Sequence, residues 1–197
     1  MAENVLTRAL GLTTEPLYML YITFKQPRWR ASEAARLAPG PGQNPRPEAR
    51  AAVHAPKSFG YRQSTQRHQR RDAAYAVILD DKQRVACVVD KRRLFLPGGG
   101  LEAGEDALQA VHREVAEECA MALEIISPLD SAVQFFRAAR GQAYELRASF
   151  FLARFGSALD RPAQHELRWL SVAPAPPLFY HECHRWAVEQ AVSRRTA

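Results

Sequence analysis

Cysteine is scarce in this chain, with 3 among 197 residues. Cys87, Cys119 and Cys183 form no CxxC pair and are odd in number, which argues against a disulfide framework or a cysteine-rich zinc site. They read instead as free thiols of a reducing compartment, so a cytoplasmic protein is expected. Long apolar runs are also missing. No segment approaches the roughly 18 residues of a membrane span. The apolar stretch Leu17-Tyr18-Met19-Leu20-Tyr21-Ile22 is short and lacks a signal-peptide layout. A membrane partner is therefore not expected, and no internal repeat is visible.

Acidic residues are sparse in the first third of the chain. Residues 1–72 hold 12 Lys/Arg against 5 Asp/Glu, whereas residues 73–197 hold 15 against 16, so the net charge of +6 belongs to the N-terminal part. Residues 31–56 are rich in Ala, Pro, Gly and Arg with little apolar periodicity. Such composition cannot bury enough surface to offset chain entropy. Residues 1–71 are accordingly expected to form a basic, Pro/Arg-rich and largely disordered extension. An Arg-rich, acid-poor leader also fits a transit segment or an overextended start. As an electrostatic arm it could meet nucleic acid, but no nucleic-acid motif accompanies it, so that partner ranks last.

What is present beyond residue 71 is patterned. Ala73–Leu79 and Arg84–Asp90 read as strands around an Asp80-Asp81-Lys82-Gln83 turn, and Leu94-Phe95-Leu96 runs into Pro97 and three glycines. A helix is expected from about Asp106 to Ala122, then a short strand at Leu123–Ile126. Ala132–Ala138 and Tyr144–Phe155 suggest a hairpin around Arg140-Gly141-Gln142. Leu167–Ser171 reads as a further strand and His181–Arg194 as a last helix. Strands on both sides of an internal helix imply an α/β fold, a mixed sheet covered by helices, in a domain over residues 72–195.

The helix carries the chemistry. At about 100° per residue, Glu114, Glu117 and Glu118 share one arc, while Leu108, Val111, Val115, Cys119 and Ala122 share another that can pack on a sheet. Like charges at such spacing repel by a few tenths of a kcal/mol per pair, and hard divalent cations bind oxygen ligands of this kind. Alone, a Glu-rich amphipathic helix is usually just a solvated face. Gly99 and Glu105 at fixed distances ahead of Arg113, Glu114, Val115, Glu117, Glu118 and Met121 argue otherwise. This run resembles the Nudix box, G-x5-E-x7-R-E-U-x-E-E-x-G-U with U apolar, and departs from it at one position, where Ala120 replaces the late glycine.

The resemblance implies an α/β/α sandwich with a mixed β-sheet, and Mg²⁺-dependent hydrolysis of a pyrophosphate bond in a nucleoside diphosphate linked to another moiety. It implies metal ligation by Glu114, Glu117, Glu118 and the carbonyl of Gly98, with Mn²⁺ an acceptable substitute. Arg113 is a permanent cation, and the family uses this arginine to orient box carboxylates. Glu105 is equally open to a structural role or one behind the metal ligands.

For a general base, Glu118 lies nearest the apolar edge of the helix, where desolvation raises a carboxyl pKa. Relatives also use a glutamate beyond the box, for which Glu166 is the best placed candidate, followed by Glu145. His165 adjoins Glu166, though a lone loop histidine is unremarkable, and His181 and His184 read as surface or capping groups. The catalytic set is thus Glu118, Glu114, Arg113 and Glu166.

Substrate contacts are weakly signalled. Lys91, Arg92 and Arg93 can meet phosphates, although a charge run is usually solvated. Phe135, Phe136 and Tyr144 can stack a base, although strand aromatics usually belong to the core. Arg92, Arg93, Phe136 and Tyr144 are the candidates. The subclass-specific proline or tyrosine beyond the box finds no match in Phe135-Phe136-Arg137-Ala138-Ala139. The expected partner is a nucleotide-derived small molecule, and a homodimer is left open. The alternative reading is a catalytically silent Nudix-like module that senses a nucleotide or binds a partner, for which Ala120 is the sequence support.

Overall fold

The computed structural model describes residues 56–138 and 141–196. Its elements run β1 (Lys57–Phe59), β2 (Gln69–Ile78), β3 (Arg84–Asp90), β4 (Arg93–Phe95), β5 (Gly98–Gly100), α1 (Ala107–Cys119), β6 (Met121–Pro128), β7 (Ala132–Arg137), β8 (Ala143–Ala158), β9 (Glu166–Ser171) and α2 (Glu182–Thr196). One sheet is ordered β1-β7-β8-β2-β5, with β6 added alongside the far half of β8, and a second is ordered β4-β3-β9. β1 runs parallel to β7 and β2 parallel to β8, while the remaining pairs are antiparallel. The mixed sheet of an α/β fold is therefore present.

β2 shows how the layers form. Ala73, Tyr75 and Val77 point to one core, shared with Cys183, Ala187, Val188 and Ala191 of α2. Ala74, Ala76 and Ile78 point to the other, shared with Ala110, Val111 and Val115 of α1. Alternate side chains on a strand face opposite sides, so a strand sandwiched by two helices must be apolar on both. That accounts for the unbroken AAYAVI run. β3 divides the same way, with Val85 and Cys87 on the α2 side and Ala86 and Val88 on the α1 side.

Several boundaries differ from expectation. β2 begins at Gln69, because its polar start, QRRD, is paired by backbone with Tyr144–Arg147 beyond the edge of α1 and needs no apolar pattern there. Lys57–Phe59 adds a parallel strand to β7, so the last part of the expected extension joins the sheet. The disorder expected for the rest concerns residues 1–55, which lie outside the described residues. α1 stops at Cys119 rather than near Ala122, because Ala120 turns into the left-handed region and Met121 pairs with Ala158. The β7–β8 hairpin lies where expected, with Gly141 at φ +81°.

His181 and His184 correct the reading as surface or capping groups: both are buried, at 6% and 0% exposure. His184 shares the inner face of α2 with Cys183, Ala187 and Val188 and accepts a hydrogen bond from the Leu96 N–H at Nδ1 (3.1 Å). The three cysteines are free and buried, and burial pushes each thiol up to about 12. Among the described residues no helix is long and apolar enough to cross a membrane.

Candidate active site

The site is built where the glycine turn meets α1. The Ala76 N–H donates to the Pro97 carbonyl (2.8 Å), and β5 then pairs with Ala73–Tyr75 of β2. Gly98 sits at φ +134°, and a Cβ there would collide with the carbonyl of Ala74 and the Cα of Tyr75. A Cβ on Gly99 would lie 2.6 Å from the Glu114 carboxyl carbon. The first glycine thus serves the backbone, and the second clears room for a carboxylate.

α1 is started by a reciprocal cap. Asp106 accepts from the Gln109 N–H (2.8 Å) while Gln109 accepts from the Asp106 N–H (2.9 Å). With the helix so phased, Val111 and Val115 enter the core, Glu114 reaches Gly99 and Glu118 reaches the Gly98 amide.

Arg113 organises this edge. Its Nε and Nη2 grip Glu105 through two bonds (2.7 and 2.9 Å), and Nη2 also donates to the Gly100 carbonyl (3.0 Å). Nη1 lies 3.0 Å from Glu114 and 3.5 Å from Glu117. One planar cation therefore ties the turn, Glu105 and two box carboxylates together, as a guanidinium fork can and an ammonium cannot. Hydrogen bonding to Arg113 holds the Glu105 carboxyl below its usual range. Of the two roles open for Glu105, this geometry supplies the structural one.

The other carboxylates are held differently. Burial raises the Glu114 carboxyl above its usual range despite Arg113 beside it. Glu118 is 9% exposed, and burial raises it well above the usual range against the pull of the Gly98 N–H, which donates to Oε2 (2.9 Å). Its Oε1 faces His165 Nε2 at 3.6 Å.

Two acids raised by desolvation are the electrostatic setting that a divalent cation relieves, and their all-oxygen donors suit such an ion. Among the described residues no group of three His, Cys, Asp or Glu side chains is arranged to hold a metal ion, and Arg113 Nη1 lies between Glu114 and Glu117.

The remaining candidates divide. Glu166 is turned to solvent at the start of β9 and is paired with Arg168 (2.7 and 3.0 Å). Glu145 pairs with Arg147 on β8. Arg92 occupies an exposed left-handed turn position at φ +66°. By contrast, Phe136 and Tyr144 are cross-strand partners with stacked rings, centroids 5.3 Å apart. Phe136 reaches Tyr180 edge-on, and Arg93 lies over the Tyr180 ring at 4.1 Å. At the other end Arg71 lies over Tyr144 at 4.8 Å. Tyr180 and Arg71 escaped the sequence reading, because a loop aromatic and a strand-start arginine carry no periodic signal. His181 packs against Phe136 (4.7 Å) and Tyr180 (4.8 Å) in the same cluster.

A family model described as the Nudix domain matches residues 69–190, a stretch that contains the glycine turn, all of α1 and the first part of α2. The chain belongs to the Nudix family. A MutT Nudix hydrolase structure from Burkholderia pseudomallei is 30% identical, covers 62% of this chain and 98% of its own, and aligns with a TM-score of 0.51. A Nudix hydrolase from Nitrosomonas europaea is 21% identical over 64% of this chain and 90% of its own, with a TM-score of 0.49. An ADP-ribose pyrophosphatase from Streptococcus suis is 16% identical over 64% and 92%, with a TM-score of 0.47. No curated protein matched the sequence. The α/β Nudix fold expected from the box is thus the fold the chain adopts.

Proposed function

We propose that this Nudix protein is a Mg²⁺-dependent hydrolase that cleaves the pyrophosphate bond of a nucleoside diphosphate linked to another moiety. The observation that carries the reading is the placement of Glu114 and Glu118, one folded onto Gly99 and the other bonded to the Gly98 amide, in surroundings that disfavour their bare charges. Glu114, Glu117, Glu118 and the Gly98 carbonyl would hold Mg²⁺, or Mn²⁺ in its place. When bound, the ion supplies charge neutralisation at the phosphates and activates a water.

The chain's own residues supply the rest. Arg113 keeps its charge and fixes Glu114 and Glu117 relative to the turn, so that little reorientation is left for the reaction. Glu118, whose carboxyl burial raises above the usual range, is the proton acceptor we assign. Glu166, held low by Arg168, is poorly matched to that task.

For base and phosphate contacts we propose Phe136, Tyr144 and Arg93, which meet in one cluster with Tyr180 and Arg71 and would have to exchange some of their mutual ring contacts for those of a substrate. Arg92 stands in the turn beside this cluster. We place the protein in the cytoplasm on the strength of its three free thiols.

The test is turnover of nucleotide sugars, ADP-ribose, dinucleoside polyphosphates, (d)NTPs and coenzyme A derivatives with Mg²⁺. Activity should vanish with EDTA and fall by at least about 100-fold in Glu118→Gln, the scale of a lost acid–base group. Undiminished turnover in that variant would remove the mechanism. The silent-module reading would be favoured instead by nucleotide binding without metal-dependent turnover.

A further inference from the structure

α1 ends on a left-handed Ala120, and the last turn of any helix leaves carbonyls that its own backbone cannot satisfy. Here they are taken up by residues 39 to 47 positions further along the chain. The Leu159 N–H donates to the Ala120 carbonyl (2.8 Å), the Gln164 N–H to Glu117 (3.0 Å) and the His165 N–H to Glu118 (3.2 Å). Residues 159–165 thus lie across the helix end like a strap, between β8 and β9. The strap also delivers an imidazole. His165 Nε2 stands 3.6 Å from Oε1 of Glu118, while the Gly98 N–H holds Oε2 of the same carboxylate at 2.9 Å. One oxygen is held by the glycine turn and the other is faced by the strap.

We propose that His165 is a positioning residue for Glu118, and that the 159–165 strap exists in this chain to deliver it. This rests on the reading of Glu118 as a working group of the hydrolase. The side chain of Glu118 has only 12% exposure, so the polar atoms of the protein around it bias its rotamer more than solvent does. The three backbone bonds of the strap do not use the imidazole. Removing the ring therefore leaves the helix cap intact and frees one side of the carboxylate, and small displacements of a reacting group carry large rate penalties.

The experiment compares the full chain with His165→Ala and His165→Gln, the latter keeping a side-chain N–H donor. Three readouts are taken: kcat and KM on the substrate found above, Mn²⁺ affinity without nucleotide by electron paramagnetic resonance, and Tm. In His165→Ala, kcat should fall about tenfold with KM held within about twofold, the signature of a loss felt at the reacting centre. Mn²⁺ binding should weaken about threefold and Tm should hold within about 2 °C, as for a surface substitution. His165→Gln should recover most of kcat and of the Mn²⁺ affinity.

Unchanged kcat and Mn²⁺ affinity in His165→Ala would overturn the proposal. Equal losses in both variants together with a lowered Tm would overturn it as well, by reducing His165 to a structural part. A wild-type chain that binds Mn²⁺ but turns nothing over would sink the hydrolase reading, and the Mn²⁺ titration of the variants would still decide the role of His165.

Discussion

Ala120 stands where the box pattern asks for glycine, and its backbone adopts the conformation glycine would favour, φ 53° and ψ 37°. A Cβ-bearing residue pays about 1–2 kcal/mol there, partly offset by the looser unfolded chain that glycine brings. Ala120→Gly should therefore stabilise the protein by roughly 0.5–1 kcal/mol, a Tm gain of about 2–4 °C, with kcat unchanged. A lower Tm would mean that the helix does not end as described. The substitution thus changes how comfortably the helix stops, and leaves the carboxylates in place.

The two turn glycines should respond differently. Gly98→Ala meets backbone atoms of Ala74 and Tyr75 at a left-handed φ, so the fold itself should suffer, by more than about 1 kcal/mol. Gly99→Ala meets only the end of the Glu114 side chain, which can swing away. Its cost should appear in kcat, by at least about tenfold, with little loss of Tm. Equal loss of Tm in both variants would contradict this division.

At the scale of elements, the carboxylate helix and the glycine turn act as one unit because Arg113 spans them. A lysine keeps the charge but cannot grip Glu105 with two bonds while also reaching Gly100 and Glu114. Arg113→Lys should lower kcat by about 10- to 100-fold, with Tm reduced by a few degrees at most. Wild-type kcat in that variant would show that the carboxylates need no organiser.

This is also the scale at which the sequence was most legible. β3 lies at Arg84–Asp90 as read, and α1 begins within a residue of the expected start near Asp106, because a short apolar run bounded by a turn and a helical apolar stripe are local signals. Local signals end where pairing takes over. The polar start of β2 and the strand at Lys57–Phe59 are held by partners far along the chain, which no apolar pattern announces. The same holds at the site. The box residues meet because one turn and one helix bring them together, whereas His165 reaches Glu118 only through the strap, and Glu166 is drawn to Arg168 on its own strand.

For the whole molecule, the α2 side of the sandwich has a pH dependence written into it. His181 lies among Phe95, Phe136 and Tyr180, and burial pushes its imidazole down to about 4. His184, fully buried with Nε2 lacking a hydrogen-bond partner, is pushed well below the ordinary range for the same reason. Histidines depressed in the folded state protonate first in the unfolded one, so stability is complete above about pH 6.5 and is lost as pH falls from there toward 4. The raised carboxyls of Glu114 and Glu118 act in the opposite sense.

The histidine part is isolated by His181→Phe, which suits the aromatic surroundings. The variant should lose about 3 kcal/mol less than wild type between pH 7 and pH 4, at about 1.4 kcal/mol per pKa unit. Chemical denaturation at both pH values measures it, and parallel losses in the two proteins would contradict the assignment.

The account depends most on whether the acids beside the glycine turn take up a divalent ion. Calorimetric titration of Mg²⁺ into the full chain, with a non-hydrolysable nucleoside diphosphate analogue present, asks this directly. Saturable uptake weakened at least about tenfold in Glu118→Gln is the expected result for a charged oxygen ligand replaced by a neutral one. No heat of Mg²⁺ binding in the wild-type protein, or identical isotherms for wild type and variant, would contradict it.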